Sequence, residues 1–583
     1  MTMFGSQWLA NAGSTYEIEQ SIRFNDDDTP YLQRTPGSGS VGNDHTWTVS
    51  FWIKRGSDIS DTNQQNGIVG AGDGADMGGD VSRYDAIGFY NDTLQIFTFG
   101  GSSPYTDLRS TVLFRDPSSW YHFVVRYDDT QSTATNRVRA YVNGVQVTSF
   151  SPANYPDQNS GTNFNTALLQ RVGANTVSTS RNIDGYLAEI VMIDGTSLGP
   201  GSFAETSSTT GQWVPIDVAD LTYGTNGFRL KGQDSSALGD DTSGEGNDFA
   251  SSGLAANDQM SDSPTNNHCT WNLLQTGSNI SSMSNGNLVA TGTSGAAAKW
   301  MSLGTMAVSS GKWYFEVTSG GARIGAGFTT SASLTQANLN TGPLDVNVET
   351  FVITDGGEIY YGTTDSGNTS PAFGSGVTMG FALDADAGKG WVTVNGSDWA
   401  DSSSGTSGDP TNGSNPTWTQ TIGTPVQPLC GDTSGGSHTT IATANFGASA
   451  FAYTPPTGYK AWNSANLPDP AIADPSAYFQ TTLYEGDGST QSIDQAGNST
   501  FSPNFVWIKN RDATDAHALF DTVRGATKVL SSNVTTAEAT NDDTLTAFES
   551  DGFALGDDVI VNTNAESYVA WQWNEGATPG FDI

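Results

Sequence analysis

Two short stretches of the chain, AYVNGVQV at 140–147 and WVTVNGSDW at 391–399, place an Asn-Gly dipeptide between apolar residues. Asn and Gly accept the positive φ angles of a type I′ turn, whose twist suits a tight hairpin between antiparallel strands. Within 46–54, every second residue from Trp47 to Ile53 is apolar, which is the period of a strand with one buried face. These patterns predict antiparallel sheets joined by tight turns.

The rest of the chain repeats this signal. Further strands are predicted within 19–24, 86–98, 120–128, 167–173, 183–193, 311–319, 358–364 and 504–510. Gly contributes 68 of 583 residues and charged residues only 14 %, a composition that disfavours long helices; one short helix is predicted within 521–533. We therefore predict an all-β fold of tandem antiparallel β-sandwich modules, jelly-roll-like in type, joined by polar linkers.

The length corresponds to about three or four domains at ~150 residues each. Composition divides the chain into six predicted parts: an N-terminal segment 1–17, a first sandwich 18–215, an extended polar linker 216–267, a second sandwich 268–462, a Pro-rich linker 463–474, and a third β-rich module 475–583 that we expect to be incomplete. The first linker is predicted because its sequence is polar, acidic and rich in Gly, without periodicity.

The chain is strongly acidic, with a formal net charge of −38. Binding to nucleic acid or to an anionic membrane needs the opposite sign, so we expect neither partner. No apolar run of about 20 residues predicts membrane insertion, and the first residues lack the features of a signal peptide. The chain has two cysteines, Cys269 and Cys430. Buried free thiols are favoured over a single disulfide bridge within one module.

No catalytic motif is present. The five histidines form no HExxH, and GxSxG, Walker-type and CxxC sequences are absent. His122 falls on the polar side of its strand and is predicted to be a surface or edge residue. Glu189, Glu316 and Glu358 are predicted to be strand carboxylates with structural partners rather than a hydrolytic pair. We therefore expect that the chain is not an enzyme.

Two groups of residues are candidates for binding. Asp26, Asp27 and Asp28 could supply oxygen ligands to calcium, with a solvated turn as the alternative; no other cofactor is expected. Exposed aromatic residues of sandwich domains can bind glycans, and the candidates are Trp52, Trp399 and Trp418, with a core position as the alternative for each.

Longer motifs resemble known families. SFWIK, DPSSWYHFVVRYD, AYVNGVQV and IDGYLAEIVMIDG make the first module similar to a laminin-G or concanavalin-A-like sandwich. GKWYFEV, IGAGF and MGFALDADAGKGWVTVNG make the second similar to a SPRY domain. The order of parts, from the start MFGSQWLANAGSTYEIEQSIRF to SPNFVWIKNRD and YVAWQWN, resembles the fibre or appendage proteins of tailed bacteriophages, especially marine ones.

This resemblance implies a structural component of the extracellular virion. The leading hypothesis is a tail fibre subunit, expected to form a homotrimer, anchored to other tail proteins through its N-terminus and contacting a host-surface glycan or protein receptor. The alternatives are a head or collar decoration fibre and a glycan-binding or glycan-cleaving depolymerase module. Phe4, Trp8 and Leu9 stand in a small and polar leader, and we predict that they dock into a neighbouring virion protein; packing on the first sandwich is the alternative.

Overall fold

The computed structural model describes residues 16–39, 42–56, 65–73, 83–99, 104–292, 299–330, 334–346, 350–396, 398–421, 423–436 and 438–583. The described chain forms two compact units, one of 16–205 and 215–468 and one of 206–214 and 469–583. The first unit holds two sandwiches, which we call module A (16–205 and 215–260) and module B (268–462). Module C is the part of the second unit from 474 onward.

Module A is built from two eight-stranded sheets. Its strands are β1 Ser21–Phe24, β2 Tyr31–Arg34, β3 Thr46–Arg55, β4 Gln65–Gly72, β5 Tyr84–Tyr90, β6 Thr93–Phe99, β7 Pro104–Leu113, β8 Tyr121–Asp128, β9 Val138–Val142, β10 Val145–Val147, β11 Phe150–Asn154, β12 Leu169–Val172, β13 Ala174–Asn175, β14 Ser178–Asn182, β15 Gly185–Asp194, β16 Ala204–Thr206, β17 Trp213–Pro215, β18 Phe228–Leu230, β19 Ala250–Ser252 and β20 Gln259–Met260. One sheet has the order β10-β9-β8-β3-β15-β1-β20, with β18 also on β15; the other has the order β11-β7-β6-β5-β4-β12-β2-β19. β13 and β14 form a separate two-stranded sheet, as do β16 and β17.

The alternating apolar residues of β3 and β8 fill the space between these sheets. Trp47 stacks on Tyr127 with ring centroids 4.9 Å apart, and Phe51 stacks on Phe123 at 5.6 Å. The predicted hairpin is present, since Val142 pairs with Val145 and both residues of the Asn143-Gly144 turn have positive φ. The all-β prediction is therefore confirmed in this module, and its helices are one turn long: α1 Ala134–Arg137 and the 3-10 turns Asp26–Asp28, Pro200–Ser202 and Ala256–Asp258.

The segment predicted as an extended linker, 216–267, instead adds strands to module A. β18 pairs with β15, β19 with β2, and β20 with β1. These strands have only two or three residues, too few to show a period of two, and side chains rather than long ladders hold the segment. Asp241, for example, accepts hydrogen bonds from the backbone N–H groups of Arg229, Ser243 and Asn247.

Module B also has two sheets. Its strands are β21 Trp271–Thr276, β22 Ile280–Ser284, β23 Val289–Gly292, β24 Met301–Gly304, β25 Lys312–Ser319, β26 Ile324–Thr330, β27 Thr350–Thr354, β28 Glu358–Tyr361, β29 Thr364–Thr369, β30 Thr378–Asp384, β31 Lys389–Val394, β32 Trp418–Thr419, β33 Val426–Asp432, β34 Thr440–Asn445 and β35 Lys460–Ala461. The sheets run β21-β24-β33-β26-β27-β28-β29 and β22-β23-β34-β25-β30-β31-β32, with β35 parallel to β25. Helix α2 spans Gln336–Leu339, and Ser464–Asn466 forms a 3-10 turn. Cys269 and Cys430 are free and buried, which confirms the prediction of thiols.

Module C has a six-stranded and a three-stranded sheet. Its strands are β36 Phe479–Glu485, β37 Gln491–Asp494, β38 Phe505–Asn510, β39 Ala518–Asp521, β40 Lys528–Ser531, β41 Ala539–Thr540, β42 Leu545–Glu549, β43 Gly552–Leu555 and β44 Ser567–Trp573, with a 3-10 turn at Pro475–Ala477 and helix α3 at Val559–Asn562. The sheet orders are β36-β44-β38-β39-β40-β41 and β37-β43-β42. The short helix predicted within 521–533 is wrong, because Gly525 and Thr527 adopt positive φ and the chain turns into β40.

A buried ion pair ties module A to the connector 261–267 that leads into module B. Lys54 on β3 is 1 % exposed, and its Nζ lies 2.8 Å from Asp262 Oδ2, 2.8 Å from Asn267 Oδ1 and 2.6 Å from the carbonyl oxygen of His268. The other oxygen of Asp262 accepts from Trp120 Nε1 at 3.1 Å. Lys54 thus has two acceptors in the segment DSPTNN (262–267) and a third at His268, and the outer face of β3 is closed off from water there.

A second set of contacts fixes the same two modules. Tyr186 OH donates to the carbonyl oxygen of Gly286 at 2.9 Å, and the Gly286 N–H donates to Asp184 Oδ1 at 3.1 Å. Gly286 has a φ of 64°, and a Cβ there would lie 2.5 Å from the Tyr186 ring. Only glycine suits this close approach, so modules A and B are held by two independent polar contacts.

The first prediction tests the ion pair between Lys54 and Asp262. Lys54→Met should lower the free energy of unfolding of modules A and B by about 3–5 kcal/mol, because Asp262 keeps its burial and loses its cation. The measurement is the first unfolding transition in differential scanning calorimetry. Lys299→Met is the matched control, since Lys299 pairs with Asp345 at 2.6 Å on the surface and such pairs contribute only about 0–1 kcal/mol. Equal small losses in both variants would contradict the assignment.

Candidate functional site

A polar pocket of about 450 Å³ opens at one end of module A. It is formed where β3 and β5 begin and by the loop that precedes β12. Its lining includes Asp44, Arg83, Asp85, Gly161, Thr162 and Asn163. A volume of this size is in the range of small-molecule sites, which span about 300–1,000 Å³.

Asp85 is the buried acid of this pocket. It is 1 % exposed, and its Oδ1 accepts from Asn163 Nδ2 at 2.9 Å and from the Phe99 N–H at 3.3 Å, while Oδ2 accepts from the Asn163 N–H at 2.5 Å. Burial raises the pKa of Asp85 to about 7, although the hydrogen bonds from Asn163 and Phe99 act in the opposite direction. The carboxyl therefore exchanges its proton near neutral pH.

A second carboxylate fixes the loop on the other side. Asp129 has a fully buried side chain and lies 2.9 Å from His45 Nδ1. It also accepts from the Gly161 N–H at 2.6 Å and from Ser160 Oγ at 3.3 Å. Loop 160–162 is thereby tied to the core before any ligand is bound.

The rim of the pocket is set by Asp44 and the neighbouring glycine. Asp44 has a side chain 41 % exposed, and its carbonyl oxygen accepts from Thr162 Oγ1 at 2.8 Å. Gly161 has a φ of 71°, and a Cβ there would lie 2.7 Å from Asp44 Oδ2. Any side chain at position 161 would therefore displace the rim carboxylate.

The pocket combines carboxylates, a guanidinium group at Arg83, hydroxyls and backbone N–H groups. This mixture of donors and acceptors suits a neutral ligand rich in hydroxyl groups. Since the oxygens of Asp85 are already engaged by N–H donors, Asp85 is suited to positioning Asn163 rather than to attacking a substrate.

The acidic residues predicted to bind calcium form an exposed 3-10 turn at Asp26–Asp28. Asp28 Oδ2 accepts from Asn25 Nδ2 at 2.8 Å. In the described part of the chain, no group of three or more His, Cys, Asp or Glu side chains is arranged to hold a metal ion. The calcium site at this turn stays a prediction.

The three candidate tryptophans have different positions. Trp52 is 2 % exposed and stacks on His122 at 4.5 Å, and Trp418 is 5 % exposed; both are core residues and not the exposed platforms expected from the sequence. Trp399 is half-buried with its ring edge toward Tyr314 at 6.5 Å. Phe4, Trp8 and Leu9 lie outside the described residues.

The prediction of a surface position for His122 is wrong. It is 1 % exposed, with Nε2 2.8 Å from Ser50 Oγ, and burial lowers its pKa to about 3. Ser50 and His122 lie on the side of β3 and β8 where the sequence alternation places polar residues. That side is nevertheless covered, since Thr48 contacts Thr196 and Lys54 contacts Asp262 on it.

The strand glutamates have structural partners, as predicted. Glu316 accepts from Tyr314 OH at 2.9 Å and from the N–H groups of Ala452 and Tyr453 at 2.8 Å. Glu189 accepts from Arg229 and from Tyr16 OH, and Glu358 accepts from Thr354.

Sequence reasoning missed the pocket residues Asp44, Arg83, Asp85 and Asn163. The available signal was Asp85 itself, an acidic residue near the start of the otherwise apolar strand YDAIGFY. Its partner Asn163 is 78 positions away, so the pairing leaves no local pattern.

Comparison with known proteins supports the fold of module A. Residues 26–200 match the concanavalin A-like lectin/glucanases superfamily, and residues 474–581 match a domain of unknown function (DUF7483). Module A therefore has a concanavalin A-like lectin fold. No curated protein matches the chain.

Two solved structures are similar to parts of the chain. The SPRY domain of human HERC1 is 13 % identical, covers 30 % of this chain and 96 % of its own, and has a TM-score of 0.24. The native heptameric SAP-like pentraxin from Limulus polyphemus is 15 % identical, covers 32 % of this chain and 80 % of its own, and has a TM-score of 0.22. Among the described residues, no helix has the length and apolar character to cross a membrane.

The pKa of Asp85 makes the second prediction. Between the ordinary aspartate pKa of 3.8 and about 7, the folded protein keeps a proton that the unfolded chain has lost. The contribution of Asp85 to the free energy of unfolding therefore falls as the pH rises through this window, by about 1.4 kcal/mol per pH unit. Urea unfolding at several pH values between 4 and 8 should show that Asp85→Asn removes this slope.

The exposed Asp157, in the same module, provides the control for that experiment. Asp157→Asn should keep the slope of the wild-type protein. An Asp85→Asn variant with the wild-type slope would mean that the carboxyl is not buried as described.

Proposed function

We propose that the chain is a non-enzymatic attachment protein of a tailed bacteriophage, a tail fibre subunit whose module A binds a glycan on the host surface. The observation that carries the binding part is the preformed polar pocket beside Asp85, in a module whose residues match a superfamily named for lectins and glucanases. The virion part rests on the resemblance of the order of modules to phage fibre proteins.

The chemistry of the pocket favours a neutral sugar. Arg83 and Asp44 offer a donor group and an acceptor group at the rim, and Thr162 adds a hydroxyl. The net charge of −38 disfavours a polyanionic glycan by repulsion. Binding without hydrolysis is favoured because the Asp85 oxygens are engaged by Asn163 and Phe99.

The coupling of modules A and B suits attachment. The buried contacts of Lys54 and Tyr186 make a block with a fixed pocket, so that little conformational freedom is lost when a ligand binds. In this proposal the N-terminal segment, with Phe4, Trp8 and Leu9, attaches the protein to other tail proteins.

The pocket makes the third prediction. Asp44→Ala and Arg83→Ala should each weaken binding of oligosaccharides from host-surface polysaccharide about tenfold or more, because a hydrogen bond to a charged group contributes about 1.5–3 kcal/mol. Isothermal titration calorimetry measures this loss, and Asp157→Ala is the control with an exposed aspartate outside the pocket. Equal affinity in all variants would contradict the assignment, and release of reducing ends would show that the protein cleaves its ligand.

The fourth prediction concerns where the protein lies in the phage particle. Antibody raised against module C should label the tail fibres of intact particles in electron microscopy. Label on the head or collar would favour a decoration fibre, and particles without label would exclude the virion assignment.

A further inference from the structure

Module C presents an apolar sheet face to solvent. On the six-stranded sheet the large side chains of one face are partly or well exposed: Phe479, Leu483, Phe505, Trp507, Leu519, Leu530, Val569, Trp571 and Trp573. Leu483 is 63 % exposed and Phe479 42 %. Apolar patches of this kind on soluble proteins usually mark a binding surface. We call this surface the outer face of module C.

Strand register makes the outer face continuous. Phe479, Trp573 and Phe505 lie side by side on β36, β44 and β38. The next row on the same side contains Trp571 and Trp507. The opposite face of these strands holds the buried residues Val506, Ile508, Tyr568 and Ala570 of the module's own core. FVWIKN and SYVAWQW are thus apolar on both sides, the pattern of strands that are covered on both faces.

We propose that the outer face of module C binds the same face of a second copy of this chain. The inference goes beyond the proposed function, because it uses neither the pocket nor the place in the particle. A flat sheet face packs well against a copy of itself, with side chains from both sheets interdigitating.

The size of the face agrees with this partner. The six strands hold 30 residues together, and at about 3.4 Å per residue and about 4.8 Å between strands they give a footprint of roughly 500 Å². Two copies would then bury about 1,000 Å² in total, near the lower limit of a specific protein interface. We therefore expect association that depends on concentration in the micromolar range.

Ring geometry favours a protein partner over a glycan. Trp573 is tilted by 54° against Phe479 and by 56° against Phe505, and Trp507 by 62° against Trp571. These rings are inclined to one another, as aromatic pairs of a protein core commonly are, and Trp573 also stacks on Phe581 at 23°.

Charge gives the pairing a distinctive salt dependence. The charged group among the outward residues of β38 is Lys509, whose Nζ donates to the carbonyl oxygens of Asn510 and Ala513. Acidic residues far outnumber basic ones in 469–583. Two copies repel through their acidic surroundings while their apolar faces attract, so added salt should strengthen the pairing.

The fifth prediction tests this pairing on the full chain by sedimentation velocity from 1 to 100 µM. The wild-type mass should rise with concentration, and more steeply at 0.5 M than at 0.05 M NaCl. Leu483→Glu should raise the dissociation constant at least tenfold. The control is Val523→Glu, since Val523 is 71 % exposed in a turn of the same module, and it should associate as wild type does. Leu483 lies on the edge strand β36, so this substitution disturbs no core.

A wild-type chain that stays monomeric to 100 µM would overturn the proposal, and so would equal effects of Leu483→Glu and Val523→Glu. Binding of oligosaccharides or of neutral phosphatidylcholine vesicles that Leu483→Glu abolishes would assign the face to another ligand and also overturn it. Asp44→Ala should leave association unchanged, so a failure of the glycan pocket and a failure of this interface are separate results.

Discussion

The rest of the first unit depends on the burial of Lys54 beside Asp262. An ammonium group removed from water is costly unless acceptors replace the solvent, and Lys54 has three within 2.8 Å, from Asp262, Asn267 and His268. These acceptors can reach Lys54 only if the segment DSPTNN lies across the outer face of β3. This charge therefore holds the connector into module B against β3, and the Tyr186–Gly286 contact fixes the two modules a second time.

Much of the fold follows from local sequence. The Asn-Gly dipeptides gave positive φ at both turns, and the alternation within 46–54 predicted β3 correctly because a period of two needs only one covered face. The segment 216–267 was not predicted, because its strands are too short to show a period. Its order comes from side chains such as Asp241, which accept from backbone groups and take the place of a long ladder.

The pocket was harder to predict than the fold. Its acid, Asp85, is held by Asn163, and its loop is held by Asp129, so the geometry depends on pairs that are far apart in sequence. The exposure of Trp52 and Trp418 was also misjudged from the sequence. Trp52 interrupts the polar alternation of its strand, which indicated a partly covered face, but the sequence did not show what covers it. Part of the cover of this strand face is the segment at Asp262, 208 positions from Lys54.

The same sequence signal has two outcomes in this chain. β3 carries large residues on both sides and is buried along nearly its whole length, since one face meets the other sheet of module A and the other meets the junction with module B. β38 and β44 carry the same signal, yet only every second residue is buried. Burial of apolar surface stabilises a protein by about 25 cal/mol per Å². β3 has this stabilisation on both faces, whereas the exposed row of Trp507 and Trp571 does not. A strand that is apolar on both sides thus indicates a cover. In module C, Phe581 contacts Phe505 and Trp573, and the proposed second copy would cover the remaining apolar residues of the outer face.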